Sequence, residues 1–153
     1  MTATTTDSGF DYDVAFSRNI GWVTEAEQQR LRSCRVAVGG LGGVGGSHLL
    51  TLARLGIGAF TITDLDTFDW ANMNRQAGAM ASTIGRPKIE VMANQVRDIN
   101  PTVTLELMPN GLTEDNIDHF LKDADIYVDS LDIFALNIRR KVFNRCGELG
   151  IRR

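Results

Sequence analysis

Six glycines lie between residues 36 and 50, in the stretch VAVGGLGGVGGSHLL. A run of four with the spacing G-x-G-G-x-G comes between an apolar segment typical of a strand and one typical of a helix; it consists of Gly40, Gly42, Gly43 and Gly45. Without side chains, such a backbone turns tightly and approaches a ligand closely, and the N–H groups at the helix start face negative charge. The stretch predicts a phosphate-binding loop, although close packing of the strand against the helix would also favour these glycines.

A carboxylate stands at the end of the next predicted strand. Asp64 follows Gly40 by 24 residues, at a position where a carboxylate accepts hydrogen bonds from ribose hydroxyls. Because NAD and ATP both contain that ribose, the glycines and Asp64 predict a nucleotide without choosing between the two.

The polar stretch DLDTFDWANMNRQ, residues 64–76, exceeds what a dinucleotide-binding protein needs after its second strand. Asn72 contributes a directional amide, and Arg75 a guanidinium that makes a two-pronged bond with phosphate oxygens. Lys88, in IGRPK, adds a point charge near a helix start. Asp132 follows the last predicted strand in DSLDIF, and Mg²⁺ prefers one or two carboxylates together with phosphate and water oxygens. These residues predict a magnesium–polyphosphate site.

The carboxyl ends of parallel strands open on one crevice, so Arg75, Lys88 and Asp132 are expected to meet there. Cations and a metal ion around a triphosphate favour its cleavage over simple binding. Each residue also has an ordinary structural interpretation. Arg75 could be a solvated loop residue, Lys88 a surface residue of an amphipathic helix, and Asp132 a cap of the last helix.

Predicted strands alternate with predicted helices along the chain. Strands are expected at RVAV, AFTITD, TVTLELM and IYVD, and the main helices at 24–33, 44–55, 87–99 and 135–149, with a shorter one after Thr113. Thr24 and Glu27 have the spacing of a capping box, and Pro87 suits a first helical turn. We predict an α/β, Rossmann-like three-layer fold with a mostly parallel sheet in the order 3-2-1-4, which stops after the fourth strand and its helix. Ile151 is expected to begin a fifth strand.

The composition excludes several classes of partner and location. A net charge of −3 over 153 residues gives no argument for nucleic acid or an anionic membrane. No apolar run approaches the roughly 18 residues of a membrane helix. Residues 1–16 are polar at their start and are expected to be a disordered tail without a signal core. Cys34 and Cys146 make neither a disulfide framework nor a zinc site, so a cytoplasmic location is expected.

With these motifs in view, the chain resembles the N-terminal half of the ThiF/MoeB/HesA family, the adenylating domain of ubiquitin-like-protein activating enzymes. The resemblance rests on SRNIG, GLGGVG, DLDTFDWANMNRQ, IGRPK and DSLDIF, and runs from about Ser17 to Ile151. It implies an incomplete ThiF-type nucleotide-binding domain over residues 17–153.

The resemblance also implies an activity. The domain would bind ATP and Mg²⁺ and activate a carboxylate as an acyl-adenylate. The expected acceptor is the C-terminus of a ubiquitin-like or sulfur-carrier protein, and a peptide and a small carboxylic acid are the alternatives. Asp64 would hold the ribose, Asn72, Arg75 and Lys88 would contact the phosphates, and Asp132 would hold the metal.

In the family that the chain resembles, members are dimers or pseudo-dimers in which an N-terminal arginine reaches the partner's ATP. Arg18 matches that arginine. The family usually has Asp-Asn-Phe where this chain has DIF, so Ile133 replaces an amide that contacts nucleotide. Neither Cys34 nor Cys146 matches the catalytic cysteine of the family. Two other functions stay open: an NAD- or FAD-binding oxidoreductase module, and a non-catalytic partner that dimerises with an active homologue.

Overall fold

The computed structural model describes residues 9–153, and at its centre is a four-stranded parallel sheet in the order β3-β2-β1-β4. The strands are β1 Arg35–Gly39, β2 Ala59–Thr63, β3 Thr104–Met108 and β4 Ile126–Asp129. The predicted α/β fold, its parallel sheet and its strand order are confirmed.

The α-helices lie between and beside these strands. They are α1 Tyr12–Ala15, α2 Glu25–Ser33, α3 Gly43–Leu55, α4 Lys88–Ile99, α5 Ile117–Phe120 and α6 Leu136–Leu149, with 3₁₀ turns at Ser17–Asn19, Trp70–Asn72 and Glu114–Asn116. The capping box of α2 is present, because Thr24 and Glu27 each accept the other's backbone N–H. The prediction that Pro87 lies in the first turn of α4 was wrong. Its ψ of 128° is not helical, so Pro87 is the residue before the helix.

Side chains of β1 alternate between two apolar cores, one on each face of the sheet. Val36 and Val38 belong to a core shared with α3 and α4, whereas Ala37 belongs to a core shared with α5 and α6. The first core includes Leu49, Ala53, Phe60, Ile62, Met92 and Val96. The second includes Ile117, Phe120, Tyr127, Val142 and Cys146. The sheet is therefore the middle of three layers, as the strand–helix alternation predicts.

The ends of three adjacent strands, β2, β1 and β4, lie level with one another. In the parallel register Gly39 is opposite Thr63 on one side and Asp129 on the other. The segments that begin at residues 40, 64 and 130 therefore leave the sheet side by side, which brings loops distant in sequence to one edge.

The N-terminal segment is folded from residue 9 onward, so the expected disordered tail is wrong for residues 9–16. Tyr12 is 4% exposed, and its hydroxyl donates to Gly56 O at 2.5 Å while it accepts from Gln28 Nε2 at 3.0 Å. The guanidinium of Arg32 lies 4.4 Å from the centre of the Tyr12 ring. Residues 1–8 of that expected tail lie outside the described residues.

The far edge of the sheet begins a further pairing. Arg152 forms a parallel bridge with Ile126, and Tyr127 N donates to Arg152 O at 2.7 Å. The expected fifth strand is thus represented by one bridge. Within residues 9–153, every helix falls short of the length and apolar character needed to cross a membrane.

Replacing Tyr12 by Phe tests the packing of the N-terminal segment. The change keeps the ring but leaves the Gly56 carbonyl without its donor, and an unsatisfied buried group costs about 1–3 kcal/mol. We expect urea unfolding to show a loss of free energy of unfolding in that range.

The matched control is Ser33→Ala, which removes an exposed hydroxyl that donates to Arg30 O. It should change the free energy of unfolding by less than about 0.5 kcal/mol. Equal, small effects of the two substitutions would contradict the described packing of Tyr12.

Candidate functional site

A cavity of about 470 Å³ opens at the carboxyl ends of the strands. This volume is within the range of roughly 300–1,000 Å³ found for small-molecule sites. Its walls are the segments that follow each strand: Gly40 and Gly42; Asp64, Leu65 and Asp66; Gly111 and Leu112; and Ser130, Leu131 and Asp132. The turn after β2 and the start of α4 add Asn72, Arg75, Gln76 and Lys88. The cavity therefore gathers most of the residues that the sequence analysis selected.

The glycine loop needs its glycines because other backbone lies against it. Gly40 has a φ of 88°, and a Cβ there would lie 2.3 Å from Ser130 O. A Cβ on Gly45 would lie 1.9 Å from Gly40 O. Gly43 begins α3 after Gly42, whose position carries no side-chain cap. Gly40 and Gly42 line the cavity, and the first turn of α3, where helical N–H groups lack carbonyl partners within the helix, begins at the next residue.

Asp64 holds the glycine loop to the end of β2. One carboxylate oxygen accepts from Leu41 N at 2.7 Å, and the other accepts from Asp66 N at 2.8 Å. From the sequence, Asp64 is expected to bind a ribose, and in the structure it also positions the glycine loop. Each carboxylate oxygen has a second lone pair, so the two roles are compatible.

Arg75 lies over the start of α3. Its Nη1 donates to Ala71 O and to Asn74 Oδ1, each at 2.9 Å, and the residue is exposed. A Cβ on Gly43 would lie 3.6 Å from Arg75 Cγ. The guanidinium is therefore held by its own turn, close to the helix start that it is predicted to assist.

Lys88 is buried rather than solvated, so its interpretation as a surface residue was wrong. Its side chain is 7% exposed, and Nζ lies 3.2 Å from Asp66 Oδ2. The same ammonium lies 5.9 Å from the centre of the Phe68 ring. Because the Asp66 side chain is 70% exposed, the pair places a fixed positive charge at the cavity wall and its counter-charge toward solvent.

Asp132 is exposed at the cavity, in the turn between β4 and α6. Its Oδ1 accepts from Phe134 N at 2.9 Å, whereas α6 begins after Ala135 without a side-chain cap. The alternative interpretation of Asp132 as the cap of that helix was therefore wrong. In the described part of the chain, no group of three or more His, Cys, Asp and Glu residues could hold a metal. A magnesium ion here would depend on oxygens of the ligand as well as on Asp132.

Three other residues lie away from the cavity. Arg18 is exposed in the 3₁₀ turn at Ser17–Asn19 and does not line the cavity of its own chain. Cys34 and Cys146 do not line it either, and burial raises the pKa of both thiols. A thiol with a raised pKa is protonated at neutral pH, so both cysteines suit packing rather than nucleophilic attack.

Two residues at the cavity were not selected as site residues from the sequence. Ser130 contacts the glycine loop, since its Oγ accepts from Gly45 N at 2.8 Å. Gln76 is 8% exposed, its Oε1 is buried without a partner, and its Nε2 lies 3.7 Å from where a Cβ on Gly42 would be. A buried amide oxygen without a partner calls for an explanation, and a hydrogen bond to a ligand in the adjoining cavity would supply one. From the sequence, Arg75 is a stronger candidate for a phosphate contact than the adjacent Gln76. The contact of Ser130 with the glycine loop is visible only in the structure.

Comparisons with known proteins identify the family of this chain. The ThiF family model matches residues 16–152, and the chain belongs to the ThiF family. It is 39% identical over 104 residues to the tRNA threonylcarbamoyladenosine dehydratase of Haemophilus influenzae, covering 67% of this chain and 40% of that protein. It is 35% identical over 107 residues to the SAMP-activating enzyme E1 of Haloferax volcanii, covering 70% and 40%.

A solved structure is similar over most of the chain. The Escherichia coli tRNA threonylcarbamoyladenosine dehydratase in complex with ATP superposes with a TM-score of 0.86 at 29% identity, covering 92% of this chain and 57% of that one. The present chain therefore spans between two-fifths and three-fifths of the length of these relatives.

Replacing Gln76 by Met separates a ligand contact from a structural one. The thioether chain fills a similar volume and removes the unpaired buried oxygen, so the free energy of unfolding should stay the same or rise by up to about 1 kcal/mol. Nucleotide affinity should fall several-fold, as measured by calorimetry. A loss of stability with unchanged affinity would contradict the ligand contact.

Proposed function

We propose that this ThiF-family chain carries the nucleotide site of an ATP-dependent adenylyltransferase that activates a carboxylate. The observation that supports it best is the single cavity lined by the glycine loop, Arg75, Lys88 and Asp132. An NAD-binding module would use the glycines and Asp64 and would leave those three charged residues without a role. A similar structure holds ATP, which favours the same choice.

The residues suggest how the nucleotide would be held. Asp64 would accept hydrogen bonds from the ribose hydroxyls, and the N–H groups at the start of α3 would donate hydrogen bonds to a phosphate. Asn72 uses its Oδ1 within the turn, accepting from Asp69 N at 2.9 Å, so its amide nitrogen would face the ligand. Arg75 would exchange its contacts within the turn for phosphate oxygens, because charged acceptors bind a guanidinium more strongly than neutral ones.

The reaction that we propose is the transfer of AMP from ATP to a carboxylate. An oxygen of the acceptor carboxylate attacks the α-phosphorus, one P–O bond forms, and the bond from that phosphorus to the bridging β-phosphate oxygen breaks. Pyrophosphate leaves with additional negative charge, which Arg75 and Lys88 would stabilise. Asp132 fits one ligand of a magnesium ion, which would neutralise phosphate charge when bound.

The acceptor we propose first is the C-terminus of a ubiquitin-like or sulfur-carrier protein. The relative named a SAMP-activating enzyme supports a protein acceptor. A carboxylate on a modified tRNA nucleoside is the second candidate, since another relative is named a dehydratase of threonylcarbamoyladenosine. A carboxylate can lose one of its oxygens only after that oxygen is converted into a leaving group. Transfer of AMP to the carboxylate achieves this conversion. The net charge of −3 favours the protein acceptor for this chain.

We also propose assembly of two chains, in the cytoplasm. Arg18 does not line the cavity of its own chain, so it would contact a nucleotide only if it is supplied by a second copy or a homologue. An arginine supplied in trans accelerates phosphoryl transfer by ~10³–10⁵ in well-studied nucleotide hydrolases. A non-catalytic partner of an active homologue remains the competing function, and it predicts a folded chain without affinity for ATP.

Calorimetry with Mg-ATP and with NAD tests the proposed function. We expect Mg-ATP to bind and NAD to bind much more weakly. Arg75→Ala and Lys88→Met should each weaken Mg-ATP binding about 10–100-fold, because hydrogen bonds to charged groups contribute about 1.5–3 kcal/mol.

Arg97→Ala is the matched control, because Arg97 is an exposed arginine in α4 outside the cavity. Its affinity for Mg-ATP should equal that of the wild type. A preference for NAD, or equal effects of the three substitutions, would contradict the proposed site.

Asp132→Asn tests the metal assignment separately. In the wild type Mg²⁺ should increase the affinity for ATP, and the substitution should remove most of that increase while leaving metal-free ATP binding equal or slightly stronger. The second effect follows because one negative charge near the phosphates is lost. Titrations of ATP with and without Mg²⁺ measure both quantities, and an unchanged Mg²⁺ dependence would remove Asp132 from the metal site.

A further inference from the structure

Ser130 joins β4 to the glycine loop through its backbone. Its N–H donates to Gly39 O at 2.8 Å, and its carbonyl oxygen lies so close to Gly40 that a Cβ there would be 2.3 Å away. A Cβ on Gly45 would be 2.9 Å from Ser130 Cβ. The serine is therefore fixed against the start of α3, with little room to move.

The hydroxyl oxygen of Ser130 accepts a hydrogen bond from one of the N–H groups in the first turn of α3. Gly45 N donates to Ser130 Oγ at 2.8 Å. A serine hydroxyl has one proton to donate as well as lone pairs to accept with, and within residues 9–153 no acceptor takes that proton. Because Ser130 also lines the cavity, the proton is available to a ligand there.

We infer that Ser130 is a phosphate-binding residue of the nucleotide site, and this inference rests on the proposed function. Its O–H donates to a phosphate oxygen while its oxygen keeps the bond from Gly45 N–H. A hydroxyl that accepts a hydrogen bond becomes a better donor, since consecutive hydrogen bonds polarise one another. The positive end of the α3 dipole acts in the same direction.

A different role for the same contact predicts the opposite sign. If Ser130 only occupied the Gly45 N–H and kept it from a ligand, its removal would expose another donor at the helix start and strengthen phosphate binding. If it only braced the loop, its removal would weaken the binding of every ligand of the cavity, including one without a phosphate. Affinity for ligands with and without phosphates therefore distinguishes the three roles.

The experiment compares Ser130→Ala with the wild-type chain, using calorimetry for Mg-ATP and an NMR titration at millimolar concentration for adenosine. We expect about a tenfold weaker affinity for Mg-ATP and an unchanged affinity for adenosine. The matched control is Thr51→Ala, which removes a hydroxyl of α3 that donates to Ser47 O and is exposed. It should change neither affinity.

Three results would overturn the inference alone: unchanged binding of Mg-ATP, tighter binding of Mg-ATP, or an equal loss for adenosine. A wild-type chain that binds neither ligand would overturn the proposed function and this inference together. The two failures are distinguishable, because the first group requires a wild type that binds.

Discussion

Close backbone contact at the carboxyl edge of the sheet is the constraint on which the rest of the site depends. β1, β2 and β4 end level, so the glycine loop, the segment after Asp64 and the turn at Ser130 leave the sheet together. They approach so closely that side chains on Gly40 or Gly45 would overlap other backbone atoms. The glycine loop before α3 is thereby held at the cavity wall, and the segments after β2 and β4 carry charged groups to the same cavity.

Those charged groups differ in how firmly they are placed. Lys88 is buried and paired with Asp66, so its ammonium is set before any ligand arrives. Arg75 is exposed and bound to its own turn, which makes it the group that would move to the ligand. A preorganised charge costs little reorganisation during a reaction, whereas a mobile one allows entry and release. The site thus combines a rigid cation on the α4 side with an adaptable one above α3.

The sheet and its order could be predicted because apolar periodicity and glycine spacing are local signals that the packing agrees with. That Asp64, Arg75 and Lys88 meet at one cavity could be predicted because the ends of parallel strands converge, whereas their roles toward a nucleotide stay predictions. The N-terminal segment was not predictable, because a polar stretch gives no sign that Tyr12 reaches the end of α3, 44 residues away. Ser130 and Gln76 were not selected as site residues, because the contact of Ser130 with Gly45 N and the position of Gln76 beside Gly42 both involve other loops.

A crystal structure of this chain with Mg-ATP would show where the phosphates lie. We expect phosphate oxygens within hydrogen-bond distance of the N–H groups at the start of α3 and of Lys88 Nζ, with the ribose at Asp64. A nucleotide bound in the opposite direction, with its base at the glycine loop and its phosphates away from Lys88, would contradict it.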